Sequence, residues 1–121
     1  MPKLLLVEDD ALNRDMLSRR LRRKGFDVIM AVDGEQAIET AKQILPDLIL
    51  MDMRLPTLNG WETTKRLKSA QETANIPVVG LTAHAMAEDR QRCLEAGCDA
   101  YETKPVDFAS LIAKISELLQ R

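Results

Sequence analysis

At 121 residues, 45% hydrophobic and 30% charged, the chain has the size and composition of one soluble domain (1–121) with a true hydrophobic core. Its formal net charge of −2 gives no general attraction to nucleic acid or a membrane surface. No apolar run approaches the roughly 20 residues of a bilayer span, and the strand-like segment beginning at Lys3 leaves no room for a signal peptide.

Strand and helix patterns then alternate along the chain. Leu4 to Val7 reads as a first strand, because a short apolar run without helical spacing suits a strand buried on both faces. The following helix carries Leu12, Met16, Leu17 and Leu21 on one face, with Gly25 as its stop. Val28 to Ala31 is a second strand. The second helix has the stripe Ala37, Ile38, Ala41, Ile44 and Leu45, ended by Pro46. Leu48 to Met51 is a third strand, and a helix from Asn59-Gly60 carries Trp61, Thr64 and Leu67. Pro77 opens a fourth strand, followed by a helix from about Met86 to Ala96 with Gly97 as its stop. A short strand near Ala100-Tyr101 precedes a last helix carrying Phe108, Leu111, Ile112, Ile115, Leu118 and Leu119. Repeated strand–helix units imply a doubly wound α/β fold: a parallel sheet, right-handed crossovers and helices on both faces.

Polar groups stand at the ends of four strands: Glu8-Asp9-Asp10, Asp52, Thr82 and Lys104-Pro105. Ligands of open parallel sheets bind beyond the carboxyl ends of the strands, so these groups are expected to converge. Oxygen-only donors favour a hard cation such as Mg2+, and the lack of histidine or thiolate in the cluster argues against zinc. Asp10, beside Ala11-Leu12, also suits a helix cap. A carboxylate can act as nucleophile on phosphorus, with a metal, the Lys104 ammonium and the Thr82 hydroxyl each taking a phosphoryl oxygen.

These motifs resemble, over essentially the whole chain, the receiver domains of two-component response regulators. The match runs through Leu4-Leu5-Leu6-Val7-Glu8-Asp9-Asp10, Pro46 to Pro56 with Asp52 inside it, Asn59-Gly60, Leu81-Thr82-Ala83 and Lys104-Pro105. The resemblance implies a flavodoxin-like (βα)5 fold with five strands in the order 2-1-3-4-5. It implies that Asp52 accepts a phosphoryl group from the phosphohistidine of a kinase or phosphotransfer protein. Asp9, Asp52 and the Arg54 backbone carbonyl would hold Mg2+, and Glu8 would act through water. Thr82 and Lys104 would contact the phosphoryl oxygens, Tyr101 would be the aromatic switch, and the Lys104-Pro105 bond would be cis. The expected product is a monomeric, free-standing, cytoplasmic switch for a downstream protein target. The segments Thr82-Ala83-His84-Ala85-Met86 and Gly97-Cys98-Asp99-Ala100-Tyr101 also resemble receivers attached to hybrid kinases.

Two other functions share the architecture. A metal-dependent phosphatase would want a second acid two residues after its nucleophile, where this chain has Arg54, a poor proton donor at neutral pH. A nucleotide or flavin carrier would want a glycine- or hydroxyl-rich phosphate loop where Glu8-Asp9-Asp10 stands. His84, the only histidine, is expected on an exposed loop, where with Arg54 it would hinder water from reaching a phosphoaspartate. The basic run Arg19, Arg20, Arg22, Arg23 and Lys24 suits a helix C-terminus and lacks the aromatic partners of a nucleic-acid site. Cys93 and Cys98 have no further Cys/His pair nearby, which supports neither zinc nor a disulfide framework, and they read as small packed residues of a reduced compartment.

Overall fold

A computed structural model of the chain describes residues 1–83 and 87–120. Among the described residues five strands and five helices alternate: β1 (Lys3–Val7), α1 (Ala11–Arg23), β2 (Asp27–Ala31), α2 (Gly34–Ile44), β3 (Leu48–Asp52), α3 (Gly60–Ser69), β4 (Val78–Thr82), α4 (Ala87–Ala96), β5 (Ala100–Thr103) and α5 (Phe108–Leu119). All strand pairs are parallel and the sheet order is β2-β1-β3-β4-β5.

The period of two along each strand divides the core in half. Leu4, Leu6, Leu48, Leu50, Val79 and Leu81 point to the face covered by Leu17 and Leu21 of α1 and Leu111, Ile115 and Leu118 of α5. Leu5, Val7, Ile49, Met51 and Val78 point to the opposite face, under Ala37 and Ala41 of α2, Leu67 of α3 and Cys93 of α4. Both faces are therefore dry, which explains why β1, β3 and β4 read as unbroken apolar runs rather than alternating ones.

Short polar side chains start the helices. Asp10, Asp33, Asn59 and Asp107 each accept a backbone N–H from the first turn of α1, α2, α3 and α5. The predicted stripe on α1 needs correction. Leu17, Ser18 and Leu21 are its buried residues, whereas Leu12 is 81% exposed and Met16 55% exposed. The first turns of α1 rise beyond the strand ends, so no sheet surface lies beneath them. Leu45, assigned to the stripe of α2, instead caps that helix in a left-handed conformation and is exposed. Met86, the expected start of the fourth helix, lies outside the described residues. Among the described residues no helix is long and apolar enough to cross a membrane.

Candidate functional site

The strand order reverses at β1, whose two neighbours lead the chain in opposite directions, and this opens a crevice between the ends of β1 and β3. Glu8 and Asp9 follow β1, and Asp52 is the last residue of β3. Glu8 is still held in the sheet by its N–H donating to the Ala31 carbonyl at 3.1 Å, which turns its side chain into the crevice. Arg14 reaches back from α1 to donate to the Glu8 carbonyl at 2.9 Å and the Asp9 carbonyl at 3.3 Å, tying down the acidic loop. Asp10 is spent on its cap, accepting from Leu12 N–H at 2.9 Å and Asn13 N–H at 3.3 Å.

Lys104 enters from the far side, after β5. Its N–H donates to the Thr82 carbonyl at 2.8 Å, and the peptide it makes with Pro105 is cis. Its ammonium lies 2.7 Å from Glu8 Oε1 and 3.1 Å from Asp52 Oδ2. The other Asp52 oxygen, Oδ1, accepts the Arg54 N–H at 3.0 Å. Glu8, Asp52 and Thr82 are buried, while Asp9 and Arg54 face solvent. Tyr101 is half-buried on β5, with the Arg90 guanidinium 5.4 Å and the Lys114 ammonium 5.9 Å from its ring centre.

The electrostatics follow from two buried carboxyl groups sharing one ammonium. Burial, then the hydrogen bond and negative charge of Asp52, push Glu8 up to about 7, against the pull of Lys104. Burial disfavours the Lys104 ammonium, but the Glu8 hydrogen bond and the Asp52 charge outweigh it and hold the group above the usual lysine range. Oxygen atoms of Glu8, Asp9 and Asp52 all lie within 4.8 Å of one another. Three carboxylates around a single ammonium leave a deficit of positive charge, and the donors are hard oxygens. The residues present therefore fit a small divalent cation of the Mg2+ type.

The structure thus brings together Glu8, Asp9, Asp52 and Lys104, with Thr82 at the neighbouring strand end. Tyr101, on the edge strand β5 opposite Gly80, packs partly buried against the core face that α2, α3 and α4 cover. His84 lies outside the described residues. Sequence reasoning missed two contributors. Arg14 carries no local signal that it will hold two loop carbonyls. Gly60 packs so closely on the Asp52 carbonyl that a Cβ there would collide with it, and its N–H donates to the Met53 carbonyl at 3.0 Å. The Asn59-Gly60 pair marks that turn in the sequence, but the close approach it permits is a tertiary fact.

A family model described as response regulator receiver domain matches residues 4–116. Among curated proteins, the polar-differentiation response regulator DivK of Brucella anthropi is 39% identical over 120 residues, spanning 98% of both chains. The DNA-binding dual master transcriptional regulator RpaA of Synechocystis is 39% identical over 121 residues, but this chain spans only 50% of it. Among solved structures, a response regulator from Chloroflexus aurantiacus superposes with a TM-score of 0.95 at 32% identity, covering 99% of this chain and 98% of that one. The receiver domain of a sensor histidine kinase from Pseudomonas aeruginosa, with a magnesium ion coordinated in its active site cleft, superposes with a TM-score of 0.93 at 35% identity and the same coverage.

Proposed function

The chain belongs to the response regulator receiver domain family, and on that premise we propose that it is a phosphorylation switch whose acceptor is Asp52. The observation that carries this reading is the Lys104 ammonium bridging Glu8 and Asp52 across the sheet edge, with Asp9 in the same cluster. An Asp52 carboxylate oxygen attacks the phosphorus of a phosphohistidine on a kinase or phosphotransfer partner. The phosphorus–nitrogen bond breaks, the imidazole leaves, and an aspartyl phosphate forms.

Asp9, Asp52 and the Arg54 carbonyl would hold Mg2+, with Glu8 reached through water; when bound, the ion offsets negative charge on the transferring oxygens. Asp52 is held in place by the Arg54 N–H and by Lys104. Lys104 is fixed by its backbone bond to Thr82 and is free to turn from Asp52 toward an incoming phosphoryl oxygen. The Thr82 hydroxyl takes another oxygen, and its movement is passed to Tyr101 on β5. The surface around α4, β5 and α5 is then presented to a downstream protein, which shifts the equilibrium only so far as it binds one state better.

Incubation with Mg2+ and acetyl phosphate, followed by intact mass measurement, tests this reading. One phosphoryl group is expected on the wild-type protein and none on Asp52→Asn. Phosphorylation that survives in Asp52→Asn, or that proceeds equally with excess chelator, would sink it.

A further inference from the structure

We infer that Cys93 and Cys98 form an oxidisable dithiol, a modification site at which a hydroperoxide closes a reversible disulfide between the end of α4 and the start of β5. Helix α4 ends on Gly97, whose φ of +102° turns the chain out of the helix. Gly97 N–H donates to the Leu94 carbonyl and Cys98 N–H to the Cys93 carbonyl, both at 3.0 Å. This pair of bonds is the Schellman ending, which sets the side chains at Cys93 and Cys98 against each other. Both sulfurs also lie over Gly80 of β4, where a Cβ would stand 3.3 Å from each, so the missing side chain makes room for the pair.

A second observation separates this site from two small packed residues. Thr64 Oγ1 and Trp61 Nε1 are buried donors with no conventional hydrogen-bond partner, and Thr64 is 0% exposed. Unsatisfied buried donors are uncommon in folded proteins. Electrostatically both bear on the thiols, Thr64 favouring the thiolate form of Cys98 and Trp61 that of Cys93. Weak acceptors as neutral thiols, the sulfurs become good ones when negative charge develops on them. In keeping with this, the hydrogen bond from Cys98 draws the Cys93 thiol below its usual range despite burial, while Cys98 is pushed up by the same contact and by burial.

The chemistry balances with hydrogen peroxide as oxidant. The Cys93 thiolate attacks one peroxide oxygen, the O–O bond breaks, and the departing hydroxide takes up the thiol proton as water. The resulting sulfenic acid is attacked by Cys98: the S–S bond forms, the S–O bond breaks, and the leaving hydroxyl takes the Cys98 proton as a second water. Two thiols lose two electrons and one peroxide gains them. Because both cysteines are buried, a small oxidant suits the site and a bulky disulfide reagent does not.

The test exposes the folded protein to hydrogen peroxide or oxidised glutathione, then denatures, alkylates and weighs it. Peroxide is expected to yield a species lighter by two hydrogens that resists alkylation and returns to wild-type mass with dithiothreitol. Trp61 is the only tryptophan, so its fluorescence should change and recover in parallel. Cys98→Ala should lose the disulfide and leave a trappable sulfenic acid on Cys93, and Thr64→Val should oxidise several-fold more slowly. Full alkylation of both thiols after peroxide, covalent dimers or glutathione adducts in place of the internal bond, or an unchanged rate in Thr64→Val would each overturn the proposal.

Discussion

Glu8 is buried and shares one ammonium with Asp52; burial above all, then the Asp52 carboxylate, raises its hold on a proton. Its carboxyl is raised from 4.5 to about 7, so between those values the folded protein binds more protons than the unfolded chain. Stability of the metal-free protein therefore falls as pH rises through this window, by an amount on the order of 3 kcal/mol for this residue alone. Urea unfolding in chelator at pH 5 and pH 8 should show wild type losing stability that Glu8→Gln retains; parallel curves would mean that Glu8 is not the titrating group. Lys104 has the same sign at higher pH: its raised value keeps the ion pair intact into the alkaline range, and the stability it gives is lost only as pH climbs through that value.

Among the elements, the loop between β3 and α3 is the most demanding. Gly60 lies against the Asp52 carbonyl and the Met53 Cα, so Gly60→Ala must displace the backbone that aims the Asp52 side chain, the proposed acceptor. A loss of about 1–3 kcal/mol is expected from overpacking of this kind, together with slower phosphorylation by acetyl phosphate. Thermal unfolding and the phosphorylation rate, measured on the same sample, check both. The first turns of α1 are the contrast. Leu12 projects into solvent, so Leu12→Gln should change stability by no more than about 0.5 kcal/mol, where a core leucine would cost several times that. The basic residues farther along this helix are largely committed: Arg22 donates to the Val28 carbonyl at 2.9 Å, Arg19 pairs with Asp15 and Arg20 lies over Phe108.

For the whole molecule, a cation that binds only the folded state stabilises it by mass action. Mg2+ at about one hundred times its dissociation constant should add about 2.7 kcal/mol, visible as a rise in melting temperature. Asp9→Asn should lose most of that rise while leaving the metal-free melting temperature nearly unchanged, since Asp9 is exposed. A rise of equal size in Asp9→Asn would place the cation elsewhere.

The order of elements, the two-sided burial of β1, β3 and β4, and the gathering of Glu8, Asp9, Asp52, Thr82 and Lys104 at one edge were legible in the chain. Apolar runs, glycine stops and polar strand ends are local signals, and the topology of parallel sheets brings strand ends together. Less was legible where a residue's surroundings come from distant chain. Leu12, Met16 and Leu45 follow a helical stripe perfectly well, yet periodicity does not say where the sheet beneath them stops. Arg14 holding the acidic loop, Gly60 under Asp52, and Thr64 and Trp61 beside a thiol pair are contacts between separate elements, with no sequence spacing to announce them. The sequence by itself determined which groups could meet and in what order the chain delivers them. Only the tertiary structure decided their distances, and with them the burial that raises Glu8 and the closeness of Cys93 to Cys98.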